Sequence, residues 1–238
     1  MTSPGGFPPE LESAGAQDVL RWTYSRFSRV AIVASFQAES TVLIDLASRV
    51  VERPEVVTLD TGRLPQETHD QAETELARRP LRLHVHTPDP AELRRLAAEH
   101  GPNPFYRSPE LRRLCCEVRK GRPLARALAG FDAWITGVRR DQAPSRAATP
   151  IVAEDPAHGG IAKVAPLARW TEEEVWSYLE ARGLEHHPLY DRGYRSIGCA
   201  PCTRAVMEGE DARAGRWWWE RDAVKECGLH WPQPAGVS

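Results

Sequence analysis

No apolar run in these 238 residues approaches the ~20 positions a helix needs to cross a bilayer, which argues against a membrane partner. Met1 to Ser13 have neither a basic start nor an apolar stretch, so residues 1–15 read as a flexible lead rather than a secretory signal. No repeat and no long low-complexity tract interrupts the chain. Charge of one sign is also missing. A formal net charge of −2 gives the molecule as a whole no pull on nucleic acid, and no nucleic-acid partner is expected. Cysteine is scarce, with five in all: Cys115, Cys116, Cys199, Cys202 and Cys227. An odd count in a chain whose start does not read as a secretory signal argues against a disulfide framework. It points to a cytoplasmic protein whose thiols bind metal, react, or both.

What is present is enough for a globular core, with 41% apolar and 27% charged residues. Short apolar runs of strand type occur at Val30 to Ala34, Glu55 to Leu59, Leu81 to Val85, Ala133 to Thr136 and Ile161 to Ala165. Between them lie stretches with helical spacing: Gln17 to Phe27, the face made by Val42, Leu43, Leu46, Ala47 and Val50, then Pro65 to Ala77 and Ala91 to Glu99. Thr171 with Glu174 is a capping-box pair, and it opens a helix with Val175, Tyr178 and Leu179 on one face. Strand and helix alternating at this interval imply an α/β fold, a parallel twisted sheet with helices on both faces. Such sheets bind ligands beyond the carboxyl ends of their strands, where three polar loops fall, after Ala34, Leu59 and Thr136. The α/β domain is expected over 16–206. From Met207 the regular pattern fades, so 207–238 reads as a tail that folds back or moves.

The cysteines fall into two close pairs and one single. Cys115-Cys116 and Cys199-Ala-Pro-Cys202 are 82 residues apart, and four thiolates in two pairs suit a tetrahedral metal or a cubane cluster. Vicinal cysteines are awkward for a zinc ribbon, which uses spacers of two to four residues, whereas a larger cluster offers neighbouring sulfurs separate iron corners. Zinc stays open, as does a reading of Cys115 and Cys116 as small buried residues of a Leu111–Val118 helix. Cys227 is left over. It lies near Lys225 and His230, with Arg213 and Arg216 on the same tail; a thiol attacks as thiolate, which nearby positive charge favours. A spare exposed thiol is the plainer alternative.

Seven stretches carry a family resemblance, in order along the chain: Ser35 to Ser40, Leu59-Asp60-Thr61-Gly62-Arg63, Cys115-Cys116 with Arg119-Lys120, Gly137 to Gln142, Gly198 to Cys202, Gly215 to Glu220, and Glu226 to His230. With these the chain resembles the assimilatory adenylyl-sulfate reductases of bacteria and plants. The resemblance implies an adenine nucleotide alpha hydrolase-like fold and one [4Fe–4S] cluster per chain on Cys115, Cys116, Cys199 and Cys202. It implies Cys227 as nucleophile, with His230, Lys120, Arg213 and Arg216 as charged catalytic partners. Substrate binding would involve Ser35, Phe36, Leu59, Asp60, Thr61, Gly137 and Arg146. Adenosine 5′-phosphosulfate would be the substrate, and thioredoxin or a glutaredoxin-like protein the reductant; a homo-oligomer stays open.

Ser35 to Ser40 resembles the modified phosphate loop of ATP-pyrophosphatases. That ancestral loop is glycine-rich, whereas this one has no glycine, carries Phe36 and Glu39, and is one residue shorter than versions containing Ser-Gly. Bulk and negative charge there argue against a triphosphate. Gly137 to Arg146 is likewise one residue short. Trp217 to Trp219 suggest a stacking surface, a lid or plain packing. Rival functions are a reductase for the 3′-phosphorylated nucleotide or for both substrates, a cluster-bearing tRNA-thiolation enzyme, and a zinc-bound interaction module without catalysis.

Overall fold

The computed structural model describes residues 6–220. Six strands, β1 (Val30–Val33), β2 (Glu55–Leu59), β3 (Arg82–His86), β4 (Ala133–Ile135), β5 (Val152–Asp155) and β6 (Ile161–Val164), form one sheet ordered β3-β2-β1-β4-β6-β5. β1 is parallel to β2 and β4, with Ile32 opposite both Val56 and Ile135, and β4 is parallel to β6. The α/β class expected from the sequence is therefore observed. Strand order reverses at β1, with β2 on one side and β4 on the other. In open parallel sheets such a reversal marks where ligands bind, beyond the carboxyl ends of the flanking strands, here β1 and β4.

The described residues pack as two compact units. One takes the residues up to Thr58 together with Gln66–Val85 and Ala127–Pro188; the other takes Leu59–Pro65, His86–Arg126 and the residues from Leu189 on.

In the first unit α1 (Ala16–Arg26) and α7 (Glu172–Ala181) both pack against α2 (Ala38–Ser48). That is why α2 is buried almost all round rather than on the single face its spacing suggested. Asp45, buried on it, accepts from Tyr178 Oη at 2.7 Å and Arg49 Nε at 3.1 Å. α7 starts where its sequence says: Thr171 Oγ1 accepts from Glu174 N and Thr171 N donates to Glu174 Oε2. α3 (Gln66–Arg78) buries polar side chains. Gln71 donates to the Glu185 carbonyl, and Thr68 Oγ1 lies 2.9 Å from His187 Nε2.

β5 was not foreseen. It is short, ends in Glu154-Asp155 before Pro156, and pairs antiparallel with β6 with Val152 opposite Val164 and Asp155 opposite Ile161. Its pairing supplies what its composition does not. Asp155 accepts from Trp134 Nε1 at 2.9 Å and pairs with His158.

The second unit holds α4 (Pro90–His100) and α5 (Pro109–Cys116). Ser108 caps α5 by accepting from Leu111 N. Helical backbone runs on past Val118 as expected, but not as α-helix. A π turn over Glu117–Gly121 follows, and α6 (Arg122–Leu128) resumes after it. Pro123 sits at the second position of α6, and with no N–H to donate and a ring that crowds the preceding turn it disfavours an unbroken α-helix. No helix among the described residues is long and apolar enough to cross a membrane.

His187 is fully buried, and burial pushes its pKa down to about 4. The folded chain therefore keeps this imidazole neutral where the unfolded chain protonates it, near pH 6.5. Stability from this site is complete above that pH and is lost as pH falls through about 4, by up to about 3 kcal/mol. Urea midpoints from pH 7 to 4.5 should fall more steeply for the wild type than for His187→Gln; parallel slopes would contradict this reading.

Candidate active site

In the first unit the loop after β1 leads straight into the N-terminus of α2. Gln37 occupies the cap position without a side-chain capping bond, and Ser40 Oγ accepts from Ser35 N at 3.1 Å. A helix N-terminus behind a tight loop favours an anion. Phe36 is buried at φ 55°, a left-handed conformation ordinarily left to glycine. The loop thus keeps a glycine-type turn without a glycine and fills it with a phenyl ring.

The loop after β4 meets it directly. A Cβ on Gly137 would lie 2.8 Å from Glu39 Cβ, so only glycine allows the close approach. Glu39 Oε1 accepts from Arg139 Nε at 3.0 Å and from Gln142 Nε2 at 2.9 Å. Arg139 also bonds Asp141, and Arg146, buried, donates to Gln142 Oε1. The negative charge expected to repel a triphosphate is therefore neutralised in part by Arg139. Arg139 and Glu39 were missing from the sequence-based site residues. Their spacing of 100 residues gave no local signal.

In the second unit Cys115, Cys199, Cys202 and Trp217 belong to one buried cluster with Leu96, Phe105 and Val118, and Cys116 packs against it. The two cysteine pairs are thus brought together. Thr61 Oγ1 lies 3.2 Å from Cys199 Sγ. Ala200 N donates to the Arg63 carbonyl at 2.8 Å, and Arg119 Nη1 donates to the Thr61 carbonyl at 2.6 Å. Gly62, at φ 67°, donates its N–H to Asp60 Oδ1 at 2.8 Å and so closes the Asp60 turn. The Asp60–Arg63 loop is stitched to the Cys199–Cys202 turn by these bonds.

Burial pushes the Cys202 thiol up to about 12, helped by neighbouring Cys199 and Cys116 and opposed by Arg216 and Lys120. Burial also raises Cys115, against the pull of Arg119. Lys120 and Arg216, both expected at the site, thus act electrostatically on a cysteine of the quartet. Arg216 is buried, donates to the Ile197 carbonyl, and lies so close to Gly198 that a Cβ there would meet its Nη2 at 2.4 Å. Arg213 is partly buried, and its backbone N–H donates to Asp211. Cys227 and His230 lie outside the described residues.

Among the described residues, three buried N–H groups around the quartet have no hydrogen-bond partner: Arg119 Nε, Arg216 Nε and Trp217 Nε1. Unpaired donors of this kind cost about 1–3 kcal/mol each, so they call for an acceptor. An iron–sulfur cluster supplies sulfur acceptors at such a place, and hydrogen bonds to its sulfurs are a normal part of its setting. Four grouped thiols with three waiting donors fit that group. Among the described residues no three or more His, Cys, Asp or Glu side chains are arranged as the shell of a single metal ion.

Arg112 was absent from the sequence reading, and Glu220 entered it only as the end of the Gly215–Glu220 stretch. Arg112 is 0% exposed and forms a bidentate pair with Glu220, at 2.7 Å from Nε and 3.1 Å from Nη2. Its guanidinium also lies over one side of the Trp217 ring system, 4.3 Å from the centroid, and Arg216 lies 4.7 Å from it. Trp219 meets the Tyr106 ring edge to face, and the Tyr106 hydroxyl donates to the Pro201 carbonyl. Trp218 is exposed.

Comparison with known proteins bears on the whole constellation. The sequence profile of the phosphoadenosine phosphosulfate reductase domain matches residues 29–205. An adenosine 5′-phosphosulfate reductase of Allochromatium vinosum is 42% identical over 91% of this chain and 84% of its own. Adenosine 5′-phosphosulfate reductase 1 of Bacillus subtilis is 42% identical over 94% of both chains. The crystal structure of a phosphoadenylyl-sulfate reductase from Candida auris, a phosphate complex, superposes with a TM-score of 0.68 at 26% identity over 81% of this chain and 91% of that one. An FMN adenylyltransferase of Candida glabrata shares the fold alone, at 14% identity, 94% and 78% coverage and a TM-score of 0.58. The chain belongs to the phosphoadenosine phosphosulfate reductase family.

Proposed function

We propose that this chain is an oxidoreductase that reduces adenosine 5′-phosphosulfate to sulfite and AMP in sulfate assimilation, for cysteine biosynthesis in the cytoplasm. The observation that carries the reading is the grouping of Cys115, Cys199 and Cys202, buried, with Cys116, partly buried, beside three N–H donors that have no partner among the described residues. Relatives at 42% identity that are named for this activity support it.

A [4Fe–4S] cluster on the four cysteines, when bound, supplies sulfur acceptors for those donors and a fixed electrostatic setting for Lys120. The residues of the chain do the rest. Ser35, Phe36, Leu59, Asp60, Thr61, Gly137 and Arg146 are the residues read as binding the nucleotide. Lys120, Arg213 and Arg216 balance the charge that builds on the sulfate oxygens.

Cys227, as thiolate with His230 nearby in sequence, attacks the sulfate sulfur. A bond forms between the two sulfurs, and the bond from sulfur to the bridging oxygen breaks with its electron pair leaving on AMP. The product is a thiosulfonate on the enzyme. A dithiol protein of the thioredoxin class then attacks Cys227 Sγ and expels sulfite. Its second thiol closes its own disulfide and frees Cys227, so two electrons come from the dithiol and two protons are released.

The similarity to a structure named for the 3′-phosphorylated nucleotide favours a second reading, in which that nucleotide is also used. Sulfite release from each nucleotide with thioredoxin supplied distinguishes the two. The unphosphorylated substrate should have at least a tenfold higher kcat/KM, or about 1.4 kcal/mol in the transition state. Equal or reversed preference would contradict the first reading.

Cys227→Ser should retain iron and bind AMP as the wild type does, yet release no sulfite, because a neutral hydroxyl is a far weaker nucleophile than a thiolate. With substrate and no reductant, mass spectrometry of the wild type should find a sulfonate adduct on Cys227. An adduct on another cysteine, or sustained turnover by Cys227→Ser, would refute the assignment.

A further inference from the structure

The segment from Gly215 to Glu220 is held at both of its ends. Arg204 N donates to the Gly215 carbonyl, and Thr203 and Arg216 form an antiparallel bridge. Trp217 N donates to the Cys202 carbonyl at 3.2 Å, and Glu220 N to the Trp217 carbonyl at 2.9 Å. A Cβ on Gly215 would lie 2.2 Å from the Arg204 carbonyl oxygen, so the contact requires glycine. Trp217 is held at φ 42°, a strained conformation for an aromatic residue, with its side chain 1% exposed. The last described residue, Glu220, is buried and gripped bidentately by Arg112.

Packing alone leaves the charge here unexplained. A buried ion pair adds little stability over an apolar pair of the same volume. What it supplies is direction, since a planar guanidinium meets a carboxylate in one geometry. Two positions give that direction a use. Arg112 is on α5, one turn before Cys115 and Cys116. Glu220 is seven residues before Cys227, so at ~3.5 Å per residue Cys227 lies at most about 25 Å from it. A short tether from a fixed root keeps a reacting group at high effective concentration, and loosening the root lowers it.

We propose that Arg112 is a positioning residue: its buried ion pair with Glu220 fixes the root of the segment bearing Cys227 to the helix bearing Cys115 and Cys116, and so sets the rate at which the Cys227 thiolate reaches bound substrate. The inference rests on the reading of Cys227 as nucleophile.

The test uses anaerobically prepared full-length protein: wild type, Glu220→Ala, Arg112→Met and the double variant. The double variant removes both charges, so it leaves no unpaired buried ion and decides the matter should a single variant fail to fold. Three quantities are read: amide exchange over Trp217 to Glu220, affinity for AMP, and the single-turnover rate of sulfonate formation at saturating substrate without reductant. The expected result is faster exchange in every variant, AMP affinity within twofold of wild type, and adduct formation at least tenfold slower. The double variant should be no slower than the slower single, because each change removes the same link. Adduct formation within twofold of wild type despite lost protection would overturn the proposal and leave the pair a packing feature. Failure of the underlying reading would look different, since the wild type itself would then carry no adduct on Cys227.

Discussion

Four thiols gathered in one cluster, three of them buried, set the terms for the second unit. Sulfur is comfortable there only while it stays protonated or meets positive charge. Burial drives Cys202 up to about 12 and raises Cys115 as well. The surroundings oppose this with cations: Arg119 faces Cys115, while Lys120 and Arg216 act on Cys202. Among the described residues, the N–H groups left over on Arg119 Nε, Arg216 Nε and Trp217 Nε1 lack acceptors of their own. Much of the neighbouring structure serves to hold this arrangement. The π turn after α5 follows directly on the vicinal cysteines. Gly198 leaves room for Arg216 to lie against the loop, and Thr61 reaches Cys199 from the Asp60 turn.

Backbone strain is concentrated in the same way. Among the described residues the non-glycine positions at positive φ are Phe36 and Trp217. Each costs on the order of 1–3 kcal/mol and persists only where its surroundings over-determine it. Phe36 is over-determined by burial behind the N-terminus of α2. Trp217 is over-determined by Arg112, Arg216 and the cysteine cluster. One strained residue lies in the segment read as phosphate loop and the other against the cysteines, which is where a fold stores strain when geometry matters more than stability.

Much of this was legible in the sequence. Periodicity found β1, β2, β4, β6, α2 and α7 to within a few residues, because their apolar runs are bounded by polar loops or caps. The two cysteine pairs announced themselves by spacing, and the structure brings them together. β5 was missed because four residues ending in two acids owe their conformation to β6. The π turn was missed because its cause, Pro123, lies beyond it. The pairs Glu39–Arg139 and Arg112–Glu220 were missed because each joins residues 100 or more positions apart. In a chain with 31 basic residues, no single arginine looks distinctive until its partner is known.

The central claim is that Cys115, Cys116, Cys199 and Cys202 hold one iron–sulfur cluster whose sulfurs satisfy the waiting N–H groups. Iron and acid-labile sulfide, measured on anaerobically purified protein alongside Cys202→Ser, test it most directly. The account predicts a brown protein with about four irons and four sulfides per chain, as a cubane held by four cysteine thiolates requires, and loss of both in the variant. Protein that carries zinc, or no metal, and still releases sulfite at full rate would contradict it.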